Sequence, residues 1–346
     1  MSPAPLIGAI QDRLAARSRW PVLEIAFWLA ALATVVLLPG KHLILTEIAI
    51  LALFALSLDL ILGYAGIVSL GHAAFFGVGA YSAGLLALHG IINEPVVALV
   101  VAGLAAMAVG FLTSFLVIRG ADLTRLMVTL GIALLLEALA ERFSNVTGGT
   151  DGLQGIEMQP ILGLFAFDMF GRTGLFYSLT VLFLLFLLAR RVVHSPFGLS
   201  LRAIKNNPLR AAAIGIPVNR RLIAIYTLSA LYAGIAGALF TQTTALASLD
   251  VFAFERSADL MLMLVIGGAG YLYGGLIGAV VFKSLQEVFS TITPQYWQFW
   301  IGLVLVVMVL VGRMRIHRWA LFVPNLVIRQ VAGRKAVVAL TDNEAP

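Results

Sequence analysis

Apolar stretches long enough to cross a bilayer recur along almost the whole chain, and they constrain every other expectation. A helix needs about 20 apolar residues to cross the hydrocarbon core. Ten such segments can be drawn, over residues 22–38, 43–62, 72–92, 96–118, 123–143, 173–189, 222–243, 256–272, 276–292 and 296–311. With 61% hydrophobic and only 12% charged residues among 346, a soluble globule would leave far too much apolar surface in water. The expected fold is an all-α polytopic membrane protein with about ten transmembrane helices.

Charge gives an independent reading of topology. The stretch from Ala189 to Arg221 holds seven Lys and Arg and no acid. Basic loops stay on the cytoplasmic side during insertion. Six crossings before this loop and four after it put both termini on the cytoplasmic side, together with Arg119 and Arg125. The loop carrying Asp151, Glu157 and Asp168 then falls outside. The expected layout is an N-terminal cytoplasmic tail over 1–21, a membrane domain over 22–312 and a cytoplasmic tail over 313–346. A cytoplasmic loop spans 190–221 and an external loop 144–172. Arg13, Arg17 and Arg19 precede an apolar run of span length with no small-residue cleavage site, so the run reads as a retained first span.

Ten spans divide into two sets of five, and the second set would enter from the opposite side. Any internal repeat would therefore be inverted, as in many transport proteins. Glycine-broken runs occur at 63–66 and 267–271, but their positions do not correspond, so the pattern leaves repeat and no repeat equally open.

Several chemistries find no footing. The +6 net charge and pI near 9.8 suit positive-inside topology, and nucleic acid is not an expected partner. The absence of cysteine excludes disulfides and thiolate metal sites. No phosphate-binding loop, zinc-hydrolase pattern or nucleophile elbow is present, so neither an enzyme nor a cofactor is expected, and no metal site. Asp59, Glu137, Glu141 and Glu287 are too sparse and peripheral for a proton or sodium relay, while Lys283 and Glu287 can pair on one helical face. Energy for work must come from elsewhere, which points to a partner at the basic loop.

The run from Leu62 to Gly84 holds six glycines together with Ser69, His72 and Ser82. Glycine lets helices approach closely and lets backbone leave the helical path where protein or a water-filled cavity satisfies the amides. Gly63, Gly66, Ser69, Gly71 and His72 are accordingly expected to line a translocation path. His72 alone is a poor metal or proton-relay group. In the external loop, Gly148, Gly149, Asp151 and Gly152 suit a gate or a landing platform, against the plainer reading of a surface turn.

The runs GYAGIVSLGHAAFFGVGAY at 63–81, TGGTDGLQGI at 147–156, FGLSLRAIKNNPLRAAAIGIP at 197–217, LSALYAGIAGALF at 228–240 and VIGGAGYLYGGLIGA at 265–279 occur in this order. Together they resemble the LivM-type permease of branched-chain amino acid ABC importers, over about residues 43–312. The resemblance implies a type II importer permease of the bacterial inner membrane. It would pair with a LivH-type permease, two cytoplasmic ATPases and an external substrate-binding protein, with lipid around it. It also implies that 202–217 is the coupling helix for the ATPase. Arg202, Ala203, Ile204, Ala211, Gly215, Ile216 and Pro217 fit that segment, while Asn206, Asn207 and Ala212 replace acids usual there. Asp59 stands where the family often has Asn. Related permeases carry urea, short amides or small carboxylates, so those cargoes remain alternatives. An ion-coupled secondary transporter is the rival from another class.

Overall fold

The computed structural model describes residues 22–120, 122–168 and 170–311. The two terminal tails expected at 1–21 and 313–346 lie outside the described residues. Every expected span corresponds to a helix: α1 Val22–Leu37, α2 His42–Leu58, α3 Ala73–Leu88, α4 Pro95–Val117, α5 Asp122–Arg142 and α6 Arg172–His194. Two short helices, α7 Pro196–Asn206 and α8 Pro208–Ala213, fill the basic loop. They are followed by α9 Val218–Thr244, α10 Phe254–Gly267, α11 Leu272–Ile292 and α12 Trp297–Val311. Among the described residues, six helices are both long and apolar enough to cross a membrane, including His42–Gly63, Pro95–Val117 and Val218–Thr244. No strand occurs among the described residues, and Leu153 and Ala247 form an isolated antiparallel bridge.

The chain divides into two compact units, the first ending at Val281 and the second starting at Phe282. In the second, the Phe289 and Trp300 rings stack at 6.2 Å. The first unit is organised around α9 and α2, whose apolar windows are 78% and 72% buried, against 33% for α4 and 22% for α5. Apolar faces of the outer helices point outward, as lipid-facing or partner-facing surfaces do.

Small residues set the spacing at the centre. A side chain on Gly237 would strike the Phe76 carbonyl, and one on Gly79 would strike the Gly234 carbonyl, so α3 and α9 touch backbone to backbone. On the other side of α9, Gly110 meets Ala230 and Gly234 meets Ala106 of α4. Between membrane helices such close approach supplies van der Waals packing in place of the hydrophobic effect.

Several boundaries differ from the sequence reading, three of them with a visible cause. α10 stops at Gly267 rather than continuing to 272, because Gly268 and Gly270 adopt φ of +101° and +88° and turn the chain into α11. α6 continues past Ala189 to His194, since Arg190 is buried against Glu24 of α1 in an ion pair of 2.7 Å. α3 stops at Leu88 rather than continuing to 92, because Gly90 at φ +65° turns the chain out of the helix.

Candidate functional site

The glycine-rich run begins where α2 ends. Residues Asp59–Gly63 widen into a π turn, and Gly66 at φ +76° then carries the chain off the helical path until α3 starts at Ala73. Backbone amides in this break must find partners inside the protein. Ile67 N–H donates to the Ile61 carbonyl at 2.9 Å, Leu70 N–H to Thr129 Oγ1 of α5 at 3.2 Å, and Ala73 N–H to Ser257 Oγ of α10 at 3.0 Å. Side chains from two other helices thus replace the missing turns of helix.

The expected path residues have different surroundings in this chain. Ser69 and His72 are fully buried, and Gly71 packs against the Thr129 carbonyl. His72 Nε2 lies 2.9 Å from Ser57 Oγ of α2 and 3.3 Å from Ser229 Oγ of α9, with its ring stacked on Phe54. His72 therefore pins three helices together. Gly63 and Gly66 lie on the opposite, basic-loop side of the break.

In the basic loop, α7 buries Gly198, Leu201 and Ile204, a three-residue spacing that turns one face inward. Gly198 rests on the Val193 backbone, so α7 folds tightly back from the end of α6. Pro208 starts α8, and Asn207 caps it by accepting from Arg210 N–H at 2.9 Å. Gly215 at φ +86° closes α8: its N–H donates to Ala212 O at 3.0 Å, and Ile216 N–H donates to Ala211 O at 3.1 Å. These two bonds form a Schellman end. Pro217 then precedes α9 directly. Arg202, Ala203, Ile204, Ala211 and Ala212 all belong to this helical hairpin, from which Leu209 and Ile214 project 84% and 70% exposed.

The hairpin is tied to the break. Lys205 Nζ donates to the Gly63 carbonyl at 2.7 Å, its stem lies against Gly66, and Arg202 sits 5.3 Å over the Tyr64 ring. The Gly63 carbonyl is one of those left over at a helix end, where a cation is favoured. Four residues earlier, Asp59 Oδ1 accepts from Gly270 N–H at 2.7 Å, in the turn between α10 and α11. A cavity of about 610 Å³ opens beside these contacts, and Gly63, Tyr64, Arg202, Lys205, Gly270 and Tyr273 are among the residues on its wall.

At the other loop cluster, Gly148, Gly149 and Gly152 all take positive φ and Asp151 is exposed. Gly152 packs against Ala247 and Ser248, and the adjacent Leu153 exchanges backbone hydrogen bonds of 2.8 and 3.1 Å with Ala247. Leu153 and Ile156 are buried beside Gly84 of α3. The 147–156 segment is thereby fastened to the loop that follows α9.

Residues 42–310 match the family described as branched-chain amino acid transport system / permease component. The chain belongs to this family. Among its relatives, the high-affinity branched-chain amino acid transport system permease protein LivM of Escherichia coli (strain K12) is 27% identical over 71% of this chain and 62% of its own length. The probable branched-chain amino acid transport permease protein LivH of Methanocaldococcus jannaschii is 29% identical over 70% of this chain and 77% of its own. The ribose import permease protein RbsC of Bacillus subtilis (strain 168) is 32% identical over 44% and 52%. The chain thus spans 62% and 63% of the two LivM relatives from Escherichia coli and Salmonella typhimurium. No solved structure matches. Family and helices together make this permease a multi-pass membrane protein.

Six residues of the site were not singled out in the sequence. Ser57, Thr129, Ser229 and Ser257 are hydroxyls within apolar runs, where a polar side chain is a signal that it needs a partner. Lys205 counted only as one of seven loop charges, and Gly270 only as one glycine of a cluster.

Proposed function

We propose that this permease is one membrane subunit of an ATP-driven importer for branched-chain amino acids. In this reading ten helices cross the bacterial inner membrane, and the α7–α8 hairpin and both termini face the cytoplasm. A LivH-type permease completes the path, two ATPases dock on the hairpin, and a soluble binding protein lands near 147–156. ATP binding would draw the ATPases together, and the hairpin would carry that movement into the membrane helices, exchanging an outward for an inward opening.

The observation that carries this reading is the hairpin itself. Its second helix is capped by Asn207 and closed at Gly215, it is anchored to the membrane helices through Lys205, and it displays Leu209 and Ile214 with no cover among the described residues. Exposed apolar groups on a folded element outside the spans call for a protein partner. The cargo assignment rests on relatives matching about 70% of this chain being named for branched-chain amino acids, whereas the ribose permease matches 44% of it. Gly63 lines the cavity, Gly66 lies against the Lys205 stem, and Ser69, Gly71 and His72 shape the break from within. Reconstitution tests the proposal: leucine uptake into vesicles should require ATP, both ATPases and the binding protein. Uptake driven by an ion gradient without ATPases would sink it, and Leu209→Asp with Ile214→Asp should abolish ATPase co-purification.

A further inference from the structure

We propose that Lys205 and Asp59 are positioning residues that bind α7, the break after α2 and the α10–α11 turn into one moving body. The proposal rests on the importer reading above and assigns how movement of the hairpin enters the membrane helices.

Two hydrogen bonds build the connection. The first joins Lys205 Nζ to the Gly63 carbonyl at 2.7 Å, and the second joins Gly270 N–H to Asp59 Oδ1 at 2.7 Å. The first has a cationic donor and is therefore stronger than a neutral bond. Both meet on a single π turn, Asp59–Gly63, so the turn is gripped from both sides. The partners come from three regions of sequence, which is more than a helix cap requires. A cap would need the Lys205 bond alone.

Packing makes the connection stiff. Gly66 leaves room for the Lys205 stem, and a side chain there would come within 3.1 Å of Lys205 Cγ. Gly63 lies directly against the Gly270 backbone, with no space for a side chain between them. Sliding the α10–α11 turn would leave the buried Asp59 carboxyl without its N–H partner and away from water, which is costly. Gly63, Lys205 and Gly270 also share the wall of the 610 Å³ cavity, so a shift of α7 would reshape that cavity. The second Asp59 oxygen has no hydrogen-bond partner among the described residues, so Asn, which keeps one acceptor, can serve the same bond.

The test measures leucine taken up per ATP hydrolysed by the complete importer in proteoliposomes. Lys205→Met keeps the stem and removes the ammonium, and the ratio should fall by about fivefold or more. Lys205→Arg should recover much of it. Asp59→Asn should hold the ratio near that of the parent protein, while Asp59→Leu lowers it. An unchanged ratio in Lys205→Met and Asp59→Leu, with only thermal stability reduced, would overturn the proposal.

A second variant covers failure of those proteins to assemble. The chain has no cysteine, and a Cβ at Gly66 would lie 3.7 Å from Lys205 Cβ, within the disulfide range of about 3.5–4.5 Å. Gly66→Cys with Lys205→Cys can thus replace the hydrogen bond by a covalent tie. Comparing oxidised and reduced forms of one preparation cancels any strain at residue 66. Recovery of the ratio on oxidation supports the proposal. Equal ratios in both forms, or loss on oxidation, overturns it. If the parent protein itself shows no ATP-dependent uptake, it is the importer reading that fails.

Discussion

His72 Nε2 lies 2.9 Å from Ser57 Oγ, across the junction where α2, α3 and α9 meet. Ser57 Oγ also donates to the Phe54 carbonyl, and Ser229 Oγ donates to the Ser57 carbonyl. With both hydroxyl protons committed, Nε2 carries the ring proton and donates to the serines. Packing on Phe54 and Phe75 adds to the polar contacts. Interhelical hydrogen bonds in membranes are worth only ~0.6 kcal/mol on average, so Ser57→Ala and Ser229→Ala should each cost about that much. His72→Ala also opens a void and should cost roughly 2–5 kcal/mol. Thermal unfolding in detergent checks the order, and a larger loss for either serine than for His72 would contradict it.

Within the long helices, glycine should matter only where backbones touch. Gly237→Val forces a side chain into the Phe76 carbonyl and should destabilise by about 1–3 kcal/mol. Gly131 faces open space on α5, so Gly131→Ala should be neutral or stabilise by about 0.4–1 kcal/mol. Melting temperatures of the two variants measure the contrast.

At Gly215 the constraint is conformation rather than room. Nothing lies within 4 Å of a side chain placed there, yet φ is +86°. Gly215→Ala and Gly215→Leu should therefore cause similar losses, about 1–2 kcal/mol of strain released by fraying the end of α8. Hydrogen exchange at position 215 and at Ile216 should accelerate in both variants, and uptake per ATP should fall with them. A loss seen only for Leu would point to a clash that the structure does not contain.

Asp168 anchors the loop before α6. Slight burial pushes its carboxyl upward, but the Thr173 and Arg172 N–H groups outweigh this and hold it below the ordinary aspartate value. Because the folded value is the lower one, the anchoring is complete above the unfolded value near ~3.9 and is lost as pH falls through the folded value. Protection of the Thr173 amide should accordingly drop in acid. Asp168→Asn should remove that pH dependence.

Much of the architecture was readable because each helix is an apolar run between glycine, proline or charge. Ends were harder to place: the stop at Gly267 depends on two positive-φ glycines, and the extension to His194 depends on Glu24, 166 residues earlier than Arg190. The basic hairpin was visible as a charge run with proline and glycine punctuation. Its anchor was not, since Lys205 meets Gly63 across 142 positions and loop charges look alike in sequence. The hydroxyls of Thr129 and Ser257 became meaningful only once the broken segment showed which amides lacked partners.

The 27 residues of α9 make a rod of about 40 Å at 1.5 Å per residue. One end grows out of the basic hairpin, and the other runs into the strap at Ala247 that holds Leu153. Such a rod behaves as a tiller: pivoted at the His72 junction, a tilt of roughly 5° swings its two ends apart by about 3.5 Å in total. Rotation of the hairpin then need not be relayed through soft contacts to be felt at the Ala247 strap.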